Sequence, residues 1–286
     1  MFHAPYTEIT PATQAVPVYV ISLARAPERR ASIMRHLEKL GIVAELIDAV
    51  DGSLLTPEDI SGLVATGISL HPGTIGCYLS HLRAYERVRA GTHRVALVLE
   101  DDARLNPRVA SLLREGLKES DFDYCFLDCD DHNDRGPVFY DAGAPSKLGH
   151  GFVAYDLSAG PQTLHAYLIS RDAATNRLRY ALPIAKAIDL YDHLPYAIHF
   201  RAVVSPKGAW VSEHSLESFT SKKNTSIRSL PFAALRRWRA FYALRDLVRL
   251  KPFRRDRIVR KLLNSGQLAA GRRWRALPSG REILVD

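Results

Sequence analysis

Residues 95–102 read Val-Ala-Leu-Val-Leu-Glu-Asp-Asp, five apolar residues running straight into three carboxylates. An apolar run of strand length, with no polar alternation, fits a strand covered on both faces, as in a parallel sheet with helices on either side. Open α/β sheets bind their ligands outside the carboxyl ends of such strands. Three acids at that position are costly unless a cation, a hydroxyl or a basic side chain compensates them. The stretch therefore predicts an α/β fold and points to a metal-diphosphate site, and so to transfer chemistry on a nucleotide-activated substrate. The competing reading is a solvated acidic turn.

The flanking sequence supplies the layers such a strand needs. Residues 16–21 predict a first strand. Pro27 suits the first turn of a helix and Gly41 the position past its end, with Ile33, Met34, Leu37 and Leu40 at helical spacing between them. A second strand follows near residues 45–47. Ile75, Leu79, Leu82, Tyr85 and Val88 step by three or four, predicting a helix that Gly91 closes. Further strands are expected at 123–128, 164–169 and 200–204, and a helix at 171–182. Residues 137–160, with Pro137, Pro145, Gly143, Gly149, Gly151 and Gly160, read as a mobile loop of the kind that closes active sites.

Several side chains are placed to act on a ligand at this sheet edge. Divalent ions that bridge a diphosphate take oxygen ligands from one or two carboxylates. Alternation along an extended segment turns Glu100 and Asp102 one way and Asp101 the other. Asp102 is thus the expected metal ligand, Glu100 is expected to reach ribose or a metal-bound water, and Asp101 is the least directly involved. Arg25, Arg29 and Arg30 lie at the start of the first helix, where they could grip phosphate or simply be solvated. His81 falls on the edge of an apolar helical stripe, where a satisfied core histidine is commoner than a catalytic one. Asp189 and Asp192, three apart, would be neighbours on a helix; one could deprotonate an acceptor hydroxyl, or both could mark a helix start. His214 could complete a metal shell, although a surface histidine fits as well.

Charge divides the chain. Residues 222–286 hold 18 Lys and Arg against 4 Asp and Glu, whereas residues 1–221 hold 21 against 27. This predicts three parts: an extension over 1–15, a body over 16–221 and a basic helical tail over 222–286. Arginines interleaved with Trp238, Phe241 and Tyr242 would suit an anionic membrane surface; a role in nucleic-acid binding is the weaker idea and is not expected. Met1 to Thr13 lacks the basic start and apolar core of a secretory signal. No run of eighteen apolar residues is present, and three cysteines, Cys77, Cys125 and Cys129, are too few for a disulfide framework. A reducing cytoplasmic setting is expected, with peripheral attachment to the inner face of the cytoplasmic membrane through the tail.

The motifs together resemble glycosyltransferase family 25, the lipopolysaccharide and lipooligosaccharide biosynthesis galactosyltransferase type of bacteria. The resemblance rests on Val18 to Leu23 with Pro27, Arg29 and Arg30, on Asp48 to Gly52, on Gly76 to His81, and on Leu97 to Asp102. Looser matches are His165 to Ser170 and Ala187 to Asp189; Ser22 stands where the family usually has Asn. The resemblance implies a GT-A-like, Rossmann-type mixed sheet flanked by helices and a DXD-like motif at residues 100–102. It implies inverting, Mn²⁺- or Mg²⁺-dependent transfer of a hexose from a UDP-hexose, UDP-galactose foremost, to a glycan or glycolipid acceptor. Its donor-side residues are Ser22, Leu23, Arg25, Arg29, Asp51, Gly76, His81, Glu100 and Asp101. Its metal ligands are Asp102, Glu100 and His214, and its general base is Asp189, with Asp192 second. The alternatives are a degenerate, non-catalytic sugar-nucleotide-binding module and a nucleotidyltransferase.

Overall fold

The computed structural model describes residues 14–128, 132–133, 136–204, 206–212, 272–276 and 282–284. β1 (Val18–Ser22), α1 (Pro27–Lys39) and β2 (Glu45–Asp48) form the expected strand-helix-strand unit, and Gly41 takes the left-handed φ of 65° that ends α1's turn. A 3-10 turn at Gly52–Leu54 and α2 (Pro57–Leu63), opened by a Thr56–Asp59 capping box, lead into α3 (Pro72–Ala90). β3 (Val95–Glu100) is the two-sided strand the sequence predicts. Leu97 and Leu99 join the cluster of Ile33 and Leu37 from α1, while Ala96 and Val98 join that of Tyr78 and Tyr85 from α3. Burying each large apolar side chain of this strand contributes about 1.5–3 kcal/mol.

β4 (Ala103–Leu105), α4 (Arg108–Glu115), β5 (Tyr124–Phe126) and the short pair β6 (His132–Asn133) and β7 (Gly136–Pro137) follow. Then come β8 (Phe139–Gly149), β9 (Phe152–Leu157), β10 (Ala166–Ser170), α5 (Arg171–Arg179), β11 (Phe200–Val203), β12 (Ala209–Val211), β13 (Arg273–Ala276) and β14 (Glu282–Leu284). Ten strands form one mixed sheet in the order β14-β13-β8-β9-β11-β5-β10-β3-β1-β2, and β12 pairs with β4 outside it. β1 is parallel to both β2 and β3, which lie on opposite sides of it. The chain thus reverses direction across the sheet at β1, and a crevice opens at the carboxyl ends of β1 and β3. β10 runs antiparallel to β3, so its amino-terminal end borders the same edge.

Three expectations fail. Residues 137–160 are a β-hairpin, not a loop. Two of the glycines that suggest mobility make its tight turn, where Gly149, His150 and Gly151 all have positive φ (117°, 51° and 83°), while the ladder shifts register at two irregular points. Asp189 and Asp192 are not on a helix. Leu190 and Leu194 donate back only three residues, to Ala187 and Tyr191, in separate turns, and a spacing of three is also turn spacing. Within the expected helical tail, residues 273–276 form a strand. Its Trp274 is buried opposite Asp141 of β8, and the exposed Arg273 beside it shows that the interleaving of basic and apolar residues there has period two. The rest of the basic stretch that suggests membrane contact, and His214, lie outside the described residues. Among the described residues no helix is long and apolar enough to cross a membrane.

Candidate functional site

The crevice holds a cavity of about 370 Å³, within the roughly 300–1,000 Å³ common for small-molecule sites. One wall is the end of β1 and the turn after it, with Ser22, Leu23, Arg25 and Arg29. A second is the turn after β2, with Asp51, Gly52 and Ser53. A third is the first turns of α3, with His71, Gly73, Cys77, Ser80 and His81, and the floor is Glu100, Asp101 and Asp102. Nearly all the donor-side residues expected from sequence therefore share one cavity.

Gly76 belongs behind the wall, not on it. A Cβ there would stand 2.6 Å from Gly52 N and 2.7 Å from Val50 O, and one on Gly52 would stand 1.9 Å from Pro72 O. Both glycines let α3 press against the turn after β2, backbone to backbone. Ser80 fixes the same contact, because its hydroxyl accepts from Val50 N–H at 2.8 Å and donates to Gly76 O.

The three carboxylates differ in burial and partners, but Asp101 and Asp102 share Arg29, because residues 101–102 form a turn and not the extended segment expected to set them on opposite sides. Asp101, 7% exposed, is turned inward. It accepts from the Ser22 hydroxyl at 2.7 Å and from Arg29 Nε at 2.7 Å, so both its oxygens tie β3 to β1 and α1. Ser22 is therefore a buried strut in this chain. Asp102 is bonded more loosely to Arg29, Nη2 to Oδ2 at 3.2 Å. Glu100 faces His81, with Nε2 and Oε1 3.2 Å apart. Burial works to raise the Glu100 pKa, but the hydrogen bond and charge of His81, with His165 and Arg29 behind, hold it below the ordinary carboxylate value.

Each arginine is paired with a carboxylate, although Arg25 is also exposed to solvent. Arg25 is ion-paired with Asp51, Arg29 with Asp101 and Asp102, and Arg30 with Asp48 at 2.7 Å. A hydrogen bond to Ser53, reinforced by Arg25, holds the Asp51 carboxyl below its usual range despite partial burial. The cavity wall thus carries four carboxylates (Asp51, Glu100, Asp101 and Asp102) and two guanidiniums. A surplus of carboxylates of this kind is chemically suited to a cation and unfavourable to a bare diphosphate.

His81 is 1% exposed and stands at the end of a buried phenol relay: its Nδ1 lies 2.8 Å from the Tyr167 hydroxyl, which is 3.2 Å from that of Tyr85. Tyr167 is not among the residues the sequence singles out. It comes from β10, opposite Val98, and only strand register brings it to the site. Cys77 is also missed, although its position one helical turn before His81 is readable. Burial, and the nearby Glu100 and Asp189 carboxylates, push the Cys77 thiol well above its ordinary value.

Asp189 is near enough to raise the Cys77 thiol electrostatically, but it is not among the residues that line the cavity. The carbonyl before it, that of Ile188, accepts from the buried Arg177 at 2.8 Å, and the Arg177 guanidinium lies over the Tyr78 and Tyr191 rings, 5.9 and 5.7 Å from their centroids. Asp192 points elsewhere, with Lys186 Nζ at 2.8 and 2.6 Å from its two oxygens.

A family model described as glycosyltransferase family 25 (LPS biosynthesis protein) matches residues 15–191. A "Glycosyltransferase 25 family member" of Aedes aegypti is 27% identical over 217 residues, 68% of this chain and 32% of that protein. An "Inactive glycosyltransferase 25 family member 3" of Mus musculus is 29% identical over 193 residues, 62% of this chain and 31% of that protein. The chain spans about a third of the length of these curated relatives. Among solved structures, a glycosyltransferase involved in glycosylation of the major capsid of PBCV-1 aligns over 58% of this chain and 63% of its own, with a TM-score of 0.27 and 7% identity.

Proposed function

This chain belongs to glycosyltransferase family 25, whose model spans more than half of it, and from that premise we propose that it transfers a hexose from a UDP-hexose, UDP-galactose foremost, to a glycan hydroxyl. The acceptor class is lipopolysaccharide or another cell-surface glycan, and the transfer inverts the anomeric carbon. The observation that carries this reading is the cavity at the β1–β3 switch point, with its surplus of carboxylates beside two arginines. Glu100 and Asp102 suit a hard divalent ion by their oxygen donors. Mn²⁺ or Mg²⁺ held there would neutralise the diphosphate that leaves. Arg25 and Arg29 stand at the same wall, each already oriented by a carboxylate, so they can turn a hydrogen-bond face to phosphate oxygens without first being ordered. Asp101 holds β3 against β1 and fixes where its neighbours point.

The acceptor hydroxyl attacks the sugar carbon as its proton passes to a carboxylate. Asp189 is the preferred base. Its charge is felt at Cys77, which lines the cavity, and the carbonyl just before it is held by Arg177. Asp192, engaged by Lys186, is second.

Release of UDP from a panel of UDP-sugars, with and without Mn²⁺, tests the reading. Metal-dependent release is expected, and Asp102→Ala should lower it about 100-fold or more while the thermal melt is retained. Wild-type release by that variant would remove Asp102 from the site. The naming of relatives as inactive favours one second reading, a sugar-nucleotide-binding module without turnover. UDP binding with no release from any donor would support it.

A further inference from the structure

We propose that Cys77, His81 and Glu100 form a binding site for a thiophilic divalent cation of the Zn²⁺ type, distinct in ligand chemistry from the all-oxygen pair Glu100 and Asp102. Cys77 and His81 are one turn apart on the same face of α3, and Glu100 ends the neighbouring strand. One donor atom from each lies within 4.8 Å of the others. Tetrahedral Zn²⁺, with bonds of about 2.0–2.3 Å, spaces its ligand atoms by roughly 3.2–3.8 Å. The His81–Glu100 pair is already at 3.2 Å, so closure asks only for small side-chain rotations. Sulfur, imidazole and carboxylate together select Zn²⁺ over Mn²⁺ or Mg²⁺, which prefer oxygen alone. All three residues line the cavity, so a fourth coordination position opens toward it.

The surroundings are those of a metal-binding histidine. Such a residue gives its other ring N–H to a fixed partner, and here that partner is the Tyr167 hydroxyl at 2.8 Å from Nδ1. Tyr167 donates to the Tyr85 hydroxyl at 3.2 Å, so its own oxygen is left to accept from Nδ1–H of His81. Nε2 is then the ring atom that faces Glu100 and would face the cation. Binding releases the Cys77 thiol proton, and the second ring proton where His81 is charged, to solvent as the S–Zn and N–Zn bonds form. Loading would also occupy Glu100. That this draws it away from the donor ion rests on the transferase reading; the binding itself does not.

The test uses the reduced full chain with Zn²⁺ titrated against a chromogenic chelator, and Co²⁺ as a spectroscopic substitute. One tight site and a cobalt–thiolate charge-transfer band are expected. Cys77→Ser should abolish the band and weaken Zn²⁺ binding more than about tenfold, and Tyr167→Phe should weaken it by about 10–100-fold, the cost of losing an outer-shell partner. Asp102→Asn should leave it unchanged. In the wild-type chain, which needs no variant to fold, Zn²⁺ should displace Co²⁺ and erase the thiolate band. Unchanged Zn²⁺ affinity in Cys77→Ser, or no cobalt–thiolate band in the wild-type chain, overturns the proposal. Loss of UDP release in the separate donor screen would count against the transferase reading and leave this result standing.

Discussion

Asp101, Asp102 and Glu100 are consecutive, yet each meets a different environment, and this decides what its removal should do. Asp101 is a strut bonded to Ser22 and Arg29, so its loss should harm folding before chemistry. Asp189 has the opposite profile, being half-buried and near Cys77. Asp189→Asn should lower kcat by about 100- to 10,000-fold while UDP affinity, measured by calorimetry, stays as in the wild type; a kcat within a few-fold of wild type would pass the base role to Asp192 or elsewhere. The sequence makes the acids themselves legible, because an apolar strand ending in charge has few explanations. It cannot show that Arg25, Arg29 and Arg30 are each matched to a carboxylate, since Asp51, Asp101 and Asp48 reach them from other elements. Nor can it show Tyr167 beneath His81, which depends on the antiparallel register of β10.

Elements with two-sided burial or a clear helical stripe, such as β3 and α1, are readable because their patterns have one physical solution. The hairpin of β8 and β9 is not, since glycine and proline mark a tight turn and a mobile loop alike, and only pairing distinguishes them. Packing between elements also turns on residues whose side chains are absent. Gly76→Ala would force its new methyl onto the Gly52 backbone, which cannot rotate away. Overpacking of about 1–3 kcal/mol should exceed the helix-propensity gain of roughly 0.5–1 kcal/mol, and a lower denaturation midpoint is expected. In β9, burial opposes ionisation of Asp156, but hydrogen bonds from Arg201 and His199 of the β11 side win and hold its pKa down. A carboxyl depressed in the folded state stabilises above its unfolded pKa of about 3.9 and loses that contribution as pH falls through the folded value. The stability difference between wild type and Asp156→Asn should therefore be constant near neutrality and shrink below about pH 4, as followed by urea denaturation across that range.

At the scale of the molecule, acidic body and basic tail are not two separable pieces. Trp274 packs into the sheet beside β8, so a truncation at residue 222 would remove two strands, β13 and β14, along with the charge. The proposed attachment to anionic membranes is better tested by changing Arg236, Arg237, Arg239 and Arg245 to Gln together. Sedimentation with phosphatidylserine vesicles should fall in that variant by a large factor at low salt, at about 1 kcal/mol per basic residue removed, and equal sedimentation would dismiss the membrane role. The position of β13 has a further consequence, for the order in which the polypeptide is made. β8 leaves the ribosome long before the strand that covers its flank, so during synthesis its outer hydrogen-bonding groups around Phe139–Asp141 stand bare. A nascent chain in that state presents an open template to its neighbours on the polysome, and chains that stop at residue 271 should yield inclusion bodies where chains that lack residues 2–13 do not.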